Sequence, residues 1–245
     1  MVQALIQRNR QALERDLADS PEKRHFSPAA YSQYAVTLPL LLRHARGRLI
    51  DLGCGDMPFR SFVRGQVSGY DSLDLYPRRP DVTYVGDVQD MAVVPSAAYD
   101  TALCVEVLEH VPDPFRAARE IHRILRPGGV LVMSVPHLSR LHDEPHDYYR
   151  YTRHGVRHLL EQAGFELLEL ERRGGLLSFI GHQVSTTLLG LTWGVPGLRQ
   201  AAWLLNRWLV VALSSWLDAR LDRAGLFALG YSVAARKPER AAETS

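Results

Sequence analysis

The sequence predicts an α/β fold: a doubly wound, mostly parallel seven-stranded sheet with an apolar helical insertion before the last strand. Three observations predict it. Short apolar runs alternate with helical stretches from residue 48 to residue 170, the pattern of a parallel sheet wrapped by helices. The first run, Arg48-Leu49-Ile50-Asp51-Leu52, closes in Gly53-Cys54-Gly55, the outline of a buried strand ending in a tight turn. Residues 174–228, dense in apolar side chains, stand between the last two strands, where a short turn would do.

Residues 3–19 have helical spacing, with Leu5, Ile6, Leu13 and Leu17 set among polar side chains. Ser20-Pro21 ends that helix, because the residue before a proline is pushed out of the α region. A second helix is expected over 29–45, with Gly47 as its stop. Strands are expected at 48–52, 67–75, 82–85, 101–105, 130–135, 165–170 and 229–236. A helix over 114–125 puts Phe115, Ala118, Ile121, His122 and Leu125 on one stripe. Another over 152–162 opens at Thr152 as its N-cap and packs Val156, Leu159 and Leu160. The organisation is then an N-terminal helical cover (1–46), a core (47–173), the apolar insertion (174–228), a last core strand (229–237) and a disordered tail (238–245).

A chain of 245 residues holds one full α/β domain with an insertion. A formal net charge of +2, with neither a basic tail nor an aromatic-basic platform, argues against a nucleic-acid partner. The two cysteines, Cys54 and Cys104, lie inside apolar runs and read as small core residues in a reducing cytoplasm. Charges without an apolar h-region over the first ten residues give no expectation of a signal peptide.

In an open α/β sheet, ligands bind at the carboxyl ends of the strands, where the strand order reverses. Glycines at 53 and 55 let the backbone turn tightly and leave room for a ligand against it. Pro58 stands where a dinucleotide fingerprint wants its third glycine, which speaks against pyrophosphate docking and a dinucleotide oxidoreductase. Asp74 ends the second strand, where a carboxylate meets ribose hydroxyls. A nucleoside without a pyrophosphate fits both facts.

Ile50-Asp51-Leu52-Gly53-Cys54-Gly55, Asp74, Gly86-Asp87-Val88, Tyr99-Asp100, Val107-Leu108-Glu109-His110-Val111 and Leu125-Arg126-Pro127-Gly128-Gly129 resemble the class I S-adenosylmethionine-dependent methyltransferases. The likeness keeps the family's order and spacing over residues 47–170. It implies a Rossmann-like methyltransferase fold, S-adenosyl-L-methionine as cofactor, and a donor site of Asp51, Gly53, Cys54, Gly55, Asp74, Leu75, Asp87, Val88 and Val105. By that likeness Gly53 and Gly55 line the methionine part, Asp74 binds the ribose hydroxyls, and Asp87 with Val88 sits at the adenine. Asp51 orients the turn or contacts the amino group.

Glu106, Glu109 and His110 follow the spacing i, i+3, i+4, which on one helical turn shares a side. With His146 they are similar to the metal-binding group of the small-RNA 2′-O-methyltransferases and the ubiquinone-pathway O-methyltransferases. That likeness implies a divalent ion on Glu106, Glu109, His110 and His146. The plainer alternative is that Glu109 and His110 shape the pocket floor. Without a metal, in-line positioning supplies much of the rate and a base can take an acceptor proton. His110, His137, His142 and His146 are the candidates, with His146 first. Tyr149, between Tyr148 and Tyr151, either lines the acceptor pocket or packs its loop.

Residues 174–198 carry no formal charge apart from a protonated His182. Over 199–222 apolar residues recur every four positions, with Asn206, Arg207, Val210, Ser214 and Asp218 on the other side. All four tryptophans (193, 203, 208 and 216) fall here. A bilayer-spanning hairpin is disfavoured by the glycines and by Arg207. An interfacial membrane surface, a substrate lid and a homodimer face stay open. The expectation is O-methylation of a small-molecule or lipid-linked acceptor, in the cytoplasm or at the inner face of the membrane. The alternative is a cofactor-binding partner module without turnover.

Overall fold

The structure, a computed structural model, describes residues 2–17, 20–222 and 224–239. From residue 240 onward the expected tail lies outside the described residues. The chain divides into two compact units, one of residues 1–35 with 172–229 and one of 36–171 with 230–245. The expected cover and insertion therefore share one unit, and the boundaries fall at 35/36 and 171/172 rather than at 46 and 173.

The strands are β1 (Arg48–Leu52), β2 (Gly69–Asp74), β3 (Tyr84–Val85), β4 (Tyr99–Val105), β5 (Leu125–Pro136), β6 (Glu166–Arg173) and β7 (Gly230–Arg236). The helices are α1 (Val2–Leu17), α2 (Pro28–Ser32), α3 (Leu38–His44), α4 (Arg60–Val63), α5 (Pro114–Ile124), α6 (Arg153–Gln162), α7 (Leu176–Thr192), α8 (Leu198–Leu205) and α9 (Leu213–Leu221).

The seven strands form one sheet in the order β3-β2-β1-β4-β5-β7-β6. The pairs β1–β2, β2–β3, β1–β4 and β4–β5 are parallel, and β7 runs antiparallel to β5. This is the doubly wound sheet that the alternating pattern predicts. Leu49, Ile50 and Leu52 are fully buried, as strands covered on both faces require. Burying each such side chain contributes about 1.5–3 kcal/mol.

Two helices of this unit start as their sequences dictate. Thr152 accepts a hydrogen bond from the Gly155 N–H at 3.0 Å and opens α6. Asp113 does the same for α5 through the Arg116 N–H at 2.9 Å. The buried stripe of α5 is Ala117, Ala118, Ile121 and Ile124, so Phe115 faces outward, contrary to expectation. Pro114, buried in the first turn, heads that stripe at the helical spacing i, i+3, i+4, i+7, which leaves position 115 off it.

The other unit is helical apart from the end of β6. Leu13, Leu17, Leu189, Trp193 and Ala202 form its apolar core. From Leu198 to Leu221 the chain is one continuous helix, because a π-helical stretch (Asn206–Ala212) joins α8 to α9. Its buried side is Ala202, Asn206, Val211, Ser214 and Asp218. The step of five from Asn206 to Val211 suits the wider π turn. Leu204, Leu205, Trp208, Leu209, Leu213 and Trp216 are exposed. Among the described residues, no helix is long and apolar enough to cross a membrane.

Candidate functional site

The strand order reverses between β1 and β4, and the residues just past the carboxyl ends of β1, β2 and β4 meet there. Gly53 and Gly55 both have positive φ, +62° and +50°, the region that L side chains avoid. The Gly53 and Cys54 N–H groups donate to the Leu73 carbonyl at 2.8 and 3.2 Å, which ties the bend to β2. A Cβ on Gly53 would lie 2.5 Å from Val107 Cγ2, whereas a Cβ on Gly55 would meet nothing within 4 Å. One glycine is needed for packing and conformation; the other keeps an open face.

Asp74 lies at that open face. Its Oδ2 accepts from the Gly55 N–H at 2.8 Å and its Oδ1 from the Tyr76 N–H at 2.9 Å. Leu75 beside it is exposed. Asp51 is buried one layer below, and Tyr70 donates its hydroxyl proton to Asp51 Oδ2. Burial pushes the Asp51 carboxyl up to about 7; the Tyr70 hydrogen bond pulls the other way and the charge of Asp74 adds to the rise. Cys54 is a buried free thiol pushed up to about 12, chiefly by burial, so it is no nucleophile.

Asp87 turns its carboxylate onto Gln89, accepting from the backbone N–H at 2.8 Å and from Nε2 at 2.9 Å. Gln89 in turn accepts from the Asp113 N–H at 2.9 Å, and Val88 is buried beneath. Val105, half-buried, ends β4. The next residue, Glu106, has φ +53° and accepts from the Ser134 hydroxyl at 3.0 Å. A non-glycine residue held there costs about 1–3 kcal/mol and persists only under strong local constraint.

Residues 108–110 form a 3-10 turn, not the α-turn that the spacing of Glu106, Glu109 and His110 suggests. Glu106 therefore points to Ser134, and the group within mutual reach is Glu109, His110 and His142, with ligand atoms within 4.8 Å of one another. His142 stands where His146 was expected. The His146 ring turns to the Tyr148 hydroxyl at 3.2 Å, and only its main-chain oxygen meets His110. That oxygen can only accept, so the His110 Nδ1 at 2.6 Å carries a proton. In the neutral ring the lone pair then sits on Nε2, 3.7 Å from the fully buried Glu109 carboxylate.

The loop from β5 to α6 is clasped onto this turn. The Tyr148 N–H donates to the Glu109 carbonyl at 2.8 Å, and the Tyr151 hydroxyl to the Leu108 carbonyl at 3.0 Å. The Tyr149 hydroxyl is engaged by the Pro112 carbonyl at 2.8 Å. Arg150 grips Asp147 through two hydrogen bonds of 2.6 and 2.7 Å and holds its carboxyl well below the usual carboxylate range. The His142 N–H donates to the same carboxylate at 2.9 Å. This clasp places His142, and the sequence signals it only through the Asp147, Arg150 spacing.

A family model described as a methyltransferase domain matches residues 24–170. The ubiquinone biosynthesis O-methyltransferase of Xanthomonas oryzae pv. oryzae (strain PXO99A) is 30% identical over 132 residues, 48% of this chain and 54% of that protein. The chain thus spans about half the length of the curated relatives it matches. The S-adenosylmethionine dependent methyltransferase from Mesorhizobium loti has a similar structure: TM-score 0.53, 19% identity, covering 84% of this chain and 97% of that one. The cyclase SpnF superposes with a TM-score of 0.57 at 20% identity, covering 86% and 82%. The two structural likenesses establish a shared fold, on which more than one chemistry has been named.

Proposed function

We propose that this chain, which belongs to the class I S-adenosylmethionine-dependent methyltransferases, transfers the cofactor's methyl group to an oxygen of a small or lipid-linked metabolite. The observation that carries the reading is the Gly53–Gly55 bend, whose second glycine keeps an open face beside the Asp74 carboxylate. Bound there, the cofactor supplies an electrophilic methyl group on a sulfonium that leaves as the neutral thioether. The carboxylates of Asp74 and Asp87 are the acceptors for ribose hydroxyls and the adenine amino group, and Asp51 favours positive charge above it. Oxygen as the target is supported by the name of the Xanthomonas relative.

Forming the new C–O bond frees the acceptor's hydroxyl proton. His110 Nε2 is the base for it, since Nδ1 is committed to the His146 carbonyl. Glu109 beside it stabilises the imidazolium that results. In-line positioning of the two partners supplies the larger share of the rate.

Glu109, His110 and His142 also fit a divalent ion: one buried carboxylate and two imidazoles within reach of one point. Mixed nitrogen and oxygen donors favour Mn²⁺, Fe²⁺ or Zn²⁺ over Mg²⁺. The chemistry such an ion would supply is acidification of the acceptor hydroxyl. Base and ligand are exclusive roles for His110 Nε2, so turnover in EDTA separates them.

The test of the reading is methyl-labelled cofactor incubated with the protein and a total metabolite extract. Release of S-adenosylhomocysteine with alkali-stable label in an extractable product, both lost in Asp74→Ala, is expected. Cofactor binding by calorimetry without release would leave the non-catalytic module instead.

A further inference from the structure

Outside its apolar core of Leu13, Leu17, Leu189, Trp193 and Ala202, the helical unit turns polar side chains inward and apolar ones outward. The long helix from Leu198 to Leu221 turns Asn206, Ser214 and Asp218 inward and Leu204, Trp208, Leu209 and Trp216 outward. Trp208 is 63% exposed and Leu204 57%. The inward polar groups are employed. Asn206 Nδ2 donates to the His25 and Phe26 carbonyls at 3.0 Å. Asp218 accepts from the Leu177 and Ser178 N–H groups at 2.9 and 2.8 Å.

Helix α7 repeats the inversion. Its buried side holds Leu189 but is otherwise small or polar, with Ser178, Gly181, Ser185, Thr186 and Gly190, while Ile180, Val184 and Leu191 face outward. A Cβ on Gly181 would lie 3.1 Å from Pro28 Cγ and from Ser214 Oγ, so the backbones approach through small residues. Close packing through small side chains, polar groups inside and apolar groups outside is the arrangement of helices whose outer solvent is hydrocarbon. Contiguous apolar patches of this kind on a water-facing surface call for a partner.

We infer that this unit embeds one face in the headgroup–acyl boundary of an anionic bilayer, without spanning it. The absence of a crossing helix among the described residues excludes the span. Charge and aromatic placement identify the lipid. Residues 1–35 and 172–229 contain eleven arginines and lysines against six carboxylates; Arg199 pairs with Asp16 at 3.4 Å and Arg207 with Glu22 at 2.8 Å, and Asp218 is buried. Two exposed tryptophans carry an arginine, Arg207 over Trp208 at 5.4 Å and Arg220 over Trp216 at 4.1 Å, whereas Trp193 under Arg199 belongs to the buried core. Tryptophan and arginine together suit the headgroup level, where a ring is half-buried and a guanidinium meets phosphate. Two copies of this net-positive unit pressed together would meet like charge with like, which disfavours a second chain as the occupant.

Flotation of the full chain with phosphatidylcholine vesicles, with and without phosphatidylglycerol, tests the inference and needs no methyl donor. Its failure would therefore leave the catalytic reading untouched. The wild type is expected to float with the anionic vesicles, with a blue-shifted tryptophan emission quenched by brominated lipid. Trp208→Ser with Trp216→Ser is expected to lower partitioning at least about tenfold, from the loss of two buried aromatic surfaces. Leu204→Gln with Leu209→Gln is expected to act alike, and circular dichroism checks that both variants fold. Wild-type protein that stays unbound overturns the inference, as does undiminished flotation of both variants. A stable wild-type dimer that the variants convert to monomer, with no lipid binding, overturns it in favour of a second copy.

Discussion

Val107 lies directly over Gly53, so that a Cβ at position 53 would come within 2.5 Å of its Cγ2. The second residue after β4 thus sets the height of the bend after β1. Gly53→Ala meets both the clash and the φ of +62°, and is expected to lower stability by about 2–4 kcal/mol while abolishing cofactor binding. Gly55→Ala meets only the φ of +50° and costs about 1–2 kcal/mol. Its methyl group enters the open face, so cofactor affinity falls more than stability. Chemical denaturation and calorimetry on both variants measure the contrast; equal losses of stability would refute it.

The buried Asp51, held by Tyr70, links stability and cofactor binding to pH. Its carboxyl is raised from 3.8 to about 7, so the folded protein holds the proton more tightly than the unfolded chain. The stabilisation is therefore complete below about pH 4 and is lost as pH rises through about 7. At 1.36 kcal/mol per pH unit the loss is on the order of 4 kcal/mol at most. The positive sulfonium and ammonium of the cofactor favour the ionised carboxylate, so affinity is expected to rise over the same window, with proton release at pH 6. Asp51→Asn flattens both profiles. Thermal denaturation against pH, and calorimetry in two buffers of different ionisation enthalpy, check the pair.

The glycine bend and the carboxylate beside it were legible because backbone geometry demands particular residues. Gly53 and Gly55 occupy positive φ, and Asp74 ends the strand beside them. The grouping of Glu109, His110 and His142 was not. The spacing of Glu106, Glu109 and His110 reads as one helical face only if the turn is α-helical, and here Glu106 sits at φ +53° before a 3-10 turn. His142 arrives through the Asp147–Arg150 clasp, a tertiary event with a faint sequence signal. Tyr70 reaches Asp51 only because the register pairs Asp51 with Ser72, two residues further along β2. In the insertion the periodicity located the helix, but amphipathicity cannot say which side faces in, and the polar side does.

His110 and His146 share one hydrogen bond with opposite consequences. His146 contributes its carbonyl, which survives any side-chain change, whereas His110 contributes the ring. Replacing His110 with Gly is expected to lower kcat by about 10²- to 10⁴-fold with little change in cofactor affinity. Added imidazole should restore part of that loss. His146→Ala is expected to leave kcat within about tenfold, below the range for losing a base. Steady-state kinetics on the two variants, with and without imidazole, decide the assignment; a larger loss at His146 would reverse it.

Asp218 caps a helix to which it does not belong. Gly175 stands at the N-cap of α7 and has no side chain to offer, and the carboxylate of Asp218 in α9 takes the Leu177 and Ser178 N–H groups instead. Charged acceptors at a helix N-terminus are favoured by the orphan N–H groups and by the helix dipole. Removing this one leaves two buried donors unsatisfied, at about 1–3 kcal/mol each before relaxation. Asp218→Ala is therefore expected to destabilise the helical unit by at least about 2 kcal/mol. Asp218→Asn keeps one accepting oxygen, turns an amide N–H₂ toward the second donor, and should fall between the two. Hydrogen exchange read over residues 176–221 would register the loss as faster exchange in α7 and α9. Unchanged protection in Asp218→Ala would mean that the cap is redundant.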